Sequence, residues 1–240
     1  MPGLTGGDVI KAVLATRENP GKRAEALVSV GVDRVIGLVI LTLLAAVVIL
    51  ASGDTFAEIR LPVLGFFTAM VVGGLVYFNR TIRRVLRFDA LLEKLPLGGK
   101  LKLVDDAVLL YRESPLEWIW AILLSLGNHV FNIGGIMALG HAFGVTWDEV
   151  GFWDYMALVP VAHIVSALPI APGGWGVGEL AFKHLFLMVG ASATLGVALS
   201  VTFRICQMSL GLLGGLFLLV PGQKVDLDEI EAQARAAGAE

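Results

Sequence analysis

Six stretches of at least 19 residues contain no Asp, Glu, Lys or Arg, and they constrain this chain more than any other feature: 35–53, 61–79, 118–147, 155–178, 184–203 and 205–223. A helix needs about 20 apolar residues to cross about 30 Å of hydrocarbon. The composition agrees, with 56% hydrophobic and 16% charged residues, against about a quarter charged in soluble domains. A disordered chain, a DNA-binding domain and a small disulfide scaffold are excluded. The pattern predicts an all-α, polytopic helical membrane protein. One cysteine, Cys206, rules out an internal disulfide and a cysteine-based zinc site. Within its apolar run Cys206 reads as a small buried hydrophobe rather than a reactive thiol.

Residues 1–34 have no apolar core of signal-peptide length and carry Asp8, Glu18, Glu25 and Asp33. They read as a cytoplasmic N-terminal segment, and the first run as an uncleaved anchor. The membrane domain is expected over 35–222, and an acidic cytoplasmic tail over 223–240. Orientation follows the basic residues, which stay cytoplasmic near membrane ends. Lys11, Arg17, Lys22, Arg23 and Arg34 precede the first run, and Arg80, Arg83, Arg84, Arg87, Lys94, Lys100, Lys102 and Arg112 fall in 80–117. The connection 54–60 holds only Arg60, and 141–154 holds none. Both termini are therefore expected inside, on the cytoplasmic face.

Within the basic segment 80–117, Ile82, Val85, Leu86, Leu92 and Leu95 recur at helical spacing between arginines. This predicts an amphipathic helix on the cytoplasmic leaflet, ended by Pro96, Gly98 and Gly99, with a second short helix from Leu101 to Tyr111. Two readings stand: attraction to anionic lipid, or a topological signal with a solvated basic face.

Residues 168–179 read Leu-Pro-Ile-Ala-Pro-Gly-Gly-Trp-Gly-Val-Gly-Glu. Two prolines and four glycines cannot sustain a helix. Broken backbone at membrane depth is tolerated only when buried in protein or lining a wet cavity. No turn chemistry surrounds Arg204, so 193–220 reads as one long helix with Arg204 near its middle. The pieces 155–168 and 179–190 then become half-helices of a re-entrant hairpin, giving four full spans plus the hairpin. Six full spans is the rival.

The hairpin places Glu179 and Arg204 at similar depth. A lone charge there costs at least about 2.5 kcal/mol and usually pairs or faces water. Glu179 sits at a half-helix start, where the backbone dipole favours it, and Lys183 is at ion-pair spacing from it. The amides around Gly173, Gly174, Gly176 and Gly178 are candidate anion donors. Either Glu179 and Arg204 form a structural pair, or Arg204, Lys183 and the glycine backbone form a substrate site that Glu179 tunes. Asn128, His129, Asn132 and His163 are supporting polar residues, either bonding between helices or lining a water path. Gly211, Gly214 and Gly215 suit close helix contact, and His141 is expected at the outer surface.

Two stretches carry a family resemblance. Ala167 to Phe182, with its Pro-Gly-Gly and closing Glu179, resembles the signature of the lysylphosphatidylglycerol synthase transmembrane-region family, also called flippase-like membrane proteins. Gly7-Asp8-Val9-Ile10-Lys11 resembles its Gly-acidic-x-x-basic element, and Asp33-Arg34 its acidic-Arg element before a span. The resemblance implies a lipid-handling membrane protein, in the best-known members fused to a soluble aminoacyl-lipid synthase. Such a catalytic domain is not expected in 221–240. Similar proteins carry two or three membrane helices before the Gly-acidic element, which here follows Met1 closely. The chain therefore reads as lacking those helices: a fragment, a misplaced start or a short form working with a partner.

The resulting expectation is a flippase-like protein facilitating movement of an anionic or modified phospholipid, or a lipid-linked molecule, across the bilayer. The alternative is a non-transporting assembly subunit that binds lipid or another membrane protein. No phosphate loop, nucleophile elbow, His-Glu-x-x-His or magnesium-binding acidic cluster occurs, so the expectation is of no enzyme, cofactor, metal or nucleic-acid partner. The expected partners are membrane phospholipid and a lipid-modifying enzyme or further membrane subunit.

Overall fold

The computed structural model describes residues 15–16, 23–88, 98–110, 115–168, 170–171 and 174–216. Among them the fold is entirely helical: α1 (Arg23–Ala51), α2 (Ala57–Phe78), α3 (Arg80–Val85), α4 (Gly98–Leu110), α5 (Pro115–Ala142), α6 (Phe152–Ala167), α7 (Val177–Met188) and α8 (Ala193–Leu216). Four stretches are long and apolar enough to cross a membrane: Val28–Ala51, Ala57–Phe78, Leu116–Ala142 and Ala193–Leu213. The chain is helical straight through Arg204, so the turn that six spans would require there does not form.

The helix α6 is the hub. Its residues Tyr155, Ala157, Leu158, Val159, Pro160, Val161 and Ala162 are buried on successive faces. A helix apolar all round is one surrounded by others, and α6 packs on α1, α5 and α7. The core joins Ala45, Ala46 and Ile49 of α1, Ile133 and Ile136 of α5, Phe182 and Phe186 of α7 and Leu199 of α8. In a bilayer such helices are held by close packing rather than by escape from water. Small residues permit it. A side chain on Gly196 would meet the Phe182 carbonyl oxygen at 2.6 Å and the Lys183 Cα at 3.0 Å, so α7 and α8 touch backbone to backbone. By contrast, α2 buries Val63 alone, and Leu61, Val72 and Leu75 lie exposed on its surface.

The basic segment departs from the expected long amphipathic helix. The Asn79 side chain accepts the Thr81 and Ile82 amides at 2.9 and 3.1 Å, starting α3 at the end of α2. This helix stops after Val85, because Arg87 turns the chain at φ 48°, a conformation few non-glycine residues adopt. Leu92 and Leu95 lie outside the described residues. The second helix begins at Gly98 rather than Leu101; the two glycines form its first turn. The N-terminal elements 7–11 and the tail 223–240 also lie outside the described residues.

One of the expected surface arginines points inward. Arg83 donates through Nη1 to Asp105 Oδ1 at 2.9 Å and through Nη2 to Oδ2, with the Tyr77 hydroxyl donating to Oδ1 at 2.6 Å. The Tyr77 and Phe88 rings flank its guanidinium, 5.3 and 4.5 Å from their centroids. This fork clamps α4 to the end of α2. Burial pushes the Asp105 carboxyl up, but the hydrogen bonds from Arg83 and Tyr77 and the Arg83 charge outweigh it, leaving the group below the ordinary range.

Candidate functional site: the broken helix

Leu168 ends α6 in an extended conformation, ψ 135°, as the residue before Pro169 must avoid the helical region. The chain re-forms a helix at Val177 after two left-handed glycines, Gly174 at φ 69° and Gly176 at φ 79°. L-residues with a Cβ are strained in this region, which glycine enters freely. Of 16 and 12 residues, α6 and α7 are about 24 and 18 Å long at 1.5 Å per residue, too short to cross singly.

Glu179 occupies the first turn of α7. Its Oε2 accepts the Gly176 amide at 2.6 Å, the half of a capping box available to a glycine cap. Its Oε1 lies 3.1 Å from Arg204 Nε, a charge contact rather than an aligned hydrogen bond. Arg204 comes from the middle of α8, and its Nη2 donates to the Gly174 carbonyl oxygen at 2.9 Å. The guanidinium lies 5.2 Å from the Trp175 ring centroid, within cation–π range. The two side chains are buried, 7% and 14% exposed, whereas Trp175 is 45% exposed. The arginine thus ties the end of the break and the first turn of α7 to the long helix.

Glycine is required here for space as well as torsion. A side chain on Gly178 would collide with Arg204 Nη2 and sit 2.6 Å from Ser166 Oγ, and one on Gly174 would collide with the Ser166 carbonyl. Ser166 Oγ donates to the Ala162 carbonyl at 2.6 Å, keeping its hydroxyl on α6.

The structure brings Glu179, Arg204, Gly174, Gly176 and Gly178 together as expected from sequence. Lys183 does not join them: among the described residues it makes no ion pair, and Glu179 instead contacts Arg204 and the Gly176 amide. The expected open row of amide donors is also partly used, with the Gly174 amide donating to Ala171 O at 2.9 Å. Gly173 lies outside the described residues.

Of the supporting polar residues, Asn132 and His129 reach polar groups on other helices. Gln207 of α8 donates to Asn132 Oδ1 of α5 at 3.0 Å, and Asn132 donates to the Asn128 carbonyl at 2.6 Å. His129 Nε2 lies 2.9 Å from the Gly37 carbonyl of α1. His163 sits between Phe203 of α8 and Phe182 of α7, ring centroids 5.8 and 6.0 Å away. Cys206 is exposed rather than buried, on a face of α8 that also exposes Ile205, Met208 and Leu210. His141 Nδ1 lies 2.8 Å from the Val145 carbonyl oxygen at the end of α5. Asp105 and Tyr77 were not singled out by sequence reasoning. A signal existed: Asp105 shares the helical face of Leu101 and Val108, where a carboxylate requires a partner.

Four membrane-length helices and a buried ion pair across a broken one define an integral membrane protein. The chain belongs to the lysylphosphatidylglycerol synthase TM region family, whose family model matches residues 1–215. That family links it to lipid modification or transport. No curated protein and no solved structure matches the chain.

Proposed function

We propose that this protein facilitates movement of an anionic or modified phospholipid, or a lipid-linked molecule, across the cytoplasmic membrane of a bacterium, without catalysing a reaction. In this reading α6 and α7 form a re-entrant hairpin, both termini are cytoplasmic, and the head group passes along the break. The observation that supports it is the Arg204–Glu179 pair at mid-helix, beside the exposed Trp175 ring. A phosphate exchanging with Glu179 for Arg204 would keep the arginine paired throughout, avoiding the cost of a bare charge in hydrocarbon. Trp175 offers the head group an amphipathic surface. The partners of this reading are membrane phospholipid and a lipid-modifying enzyme or further membrane subunit, with no nucleic acid.

The test is translocation in reconstituted vesicles, using a head-group-labelled anionic lipid and a membrane-impermeant quencher. The expected result is faster loss of inner-leaflet signal with the wild-type chain. Arg204→Lys, which keeps the charge but not the fork, slows it, while Glu179→Gln alters the rate with the fold retained. Unchanged rates in both folded variants would remove the break from the path.

One observation favours a second reading, a non-transporting assembly subunit: Arg204 is engaged by its own chain, through Glu179 and the Gly174 carbonyl. That reading expects no acceleration by the folded wild-type protein and co-purification with a membrane partner.

A further inference from the structure

The arginines at the end of α2 fall into two groups. Arg83 is buried in its fork with Asp105. Arg80, Arg84 and Arg87 are exposed, and among the described residues none of the three makes an ion pair. Between them Val85 is 75% and Leu86 58% exposed. Full-length aliphatic side chains left open beside three free guanidinium groups are costly in water, and suit the boundary between hydrocarbon and head groups.

The level of this segment is set by its neighbours. It follows directly on the membrane-length helix Ala57–Phe78. At the same end Phe78 meets Trp118 of α5, ring centroids 6.0 Å apart; aromatic rings gather at the membrane–water boundary. Asn79 and Arg87 cap and end α3, and the Arg83–Asp105 fork ties it to α4, so the three exposed arginines stand on a fixed support. The opposite end of the spans carries Asp54, Glu58, Asp148, Glu149 and Asp154 against Arg60 and Lys183, so the arginine cluster stands at the more basic end.

We infer that Arg80, Arg84 and Arg87, with Val85 and Leu86 seated in the leaflet, form a binding surface for anionic phospholipid head groups, separate from the broken helix. The positive charges meet phosphate oxygens by charge-assisted hydrogen bonds, while the two aliphatic side chains replace lost acyl contacts. A basic residue near an anionic membrane surface is held to it about fivefold more strongly; here three stand between positions 80 and 87.

The experiment uses the full chain in phosphatidylcholine vesicles containing a trace of spin-labelled phosphatidylglycerol or spin-labelled phosphatidylcholine. The fraction of each label immobilised at the protein gives its relative association. Folding of each variant is checked by circular dichroism. The wild type is expected to prefer phosphatidylglycerol. The triple variant Arg80→Gln, Arg84→Gln, Arg87→Gln loses most of that preference, and the triple Arg→Lys variant keeps it. The single Arg84→Gln gives a partial loss and serves if the triple does not fold. A folded glutamine variant retaining the wild-type preference overturns the inference, as does equal loss in the lysine variant. Translocation by the same vesicles reads the broken helix independently.

Discussion

Two largely buried arginine–carboxylate pairs stand out among the described residues, and they solve different problems. Arg204–Glu179 joins the middle of one apolar helix, α8, to the first turn of another, α7. Its extra partners are a carbonyl freed by a broken backbone and the face of Trp175. Arg83–Asp105 lies at the end of a span, with a forked double hydrogen bond and the Tyr77 hydroxyl closing it. There water is near, and the pair acts as a clamp between α3, α2 and α4. The contrast teaches that burial alone does not set a pair's importance; what surrounds the stranded partner after one is removed does.

The largest effect should follow from Arg204→Ala. It leaves Glu179 unpaired, and breaking a buried pair costs about 3–5 kcal/mol. Thermal unfolding in detergent micelles should fall steeply, and adding Glu179→Gln in the same chain should recover part of the loss. An unfolding temperature equal to wild type in the single variant would end the contrast with the outer pair.

Asp105→Asn should cost less, about 1.5–3 kcal/mol, the range for hydrogen bonds to charged groups. It also sharpens the comparison through pH. The folded Asp105 carboxyl titrates below its unfolded value, so the unfolded chain takes up the proton first as pH falls. The stabilisation is therefore complete above the unfolded pKa and fades as pH drops through the folded one. Unfolding temperatures measured from neutral pH downward should show this loss in wild type and a flatter acid limb in Asp105→Asn.

Gly178→Ala should follow, at about 1–3 kcal/mol for overpacking, because its Cβ meets Arg204 and Ser166. Gly134→Ala, with nothing within 4 Å of its Cβ, should be neutral or stabilising in the same melting assay. Smallest is Gln207→Leu, which removes the hydrogen bond to Asn132; such bonds average about 0.6 kcal/mol in a membrane protein. A loss several times larger would make the α5–α8 contact a third centre of stability.

The Arg204–Glu179 meeting was legible because both residues interrupt apolar runs and a proline–glycine cluster fixes where the helix must break. The unbroken α8 was legible from the lack of turn residues around Arg204. The Arg83–Asp105 fork was hidden by spacing: 22 residues and a chain turn at Arg87 separate the partners, and Arg83 lies among other arginines that look alike in sequence. Lys183 shows the opposite error. Its i,i+4 spacing from Glu179 is real, but spacing along one helix does not show that the carboxylate turns instead toward Arg204 of another helix and the Gly176 amide. The environment of Cys206 was misread because an apolar run does not reveal which helix faces meet protein and which remain outside.

The contact at Gly196 has a mechanical consequence. With the Phe182 carbonyl close against it, α7 lies along α8 with no side chain between their backbones at this point, and the two form one stiff beam-like pair. The beam spans 24 residues in α8, about 36 Å at 1.5 Å per residue. The extended stretch around Leu168 and the positive-φ glycines up to Gly176 are the bearing at one side, and the Gly190 turn joins its two members. Gln207, one turn beyond Arg204 on α8, joins this pair of helices to α5 through Asn132.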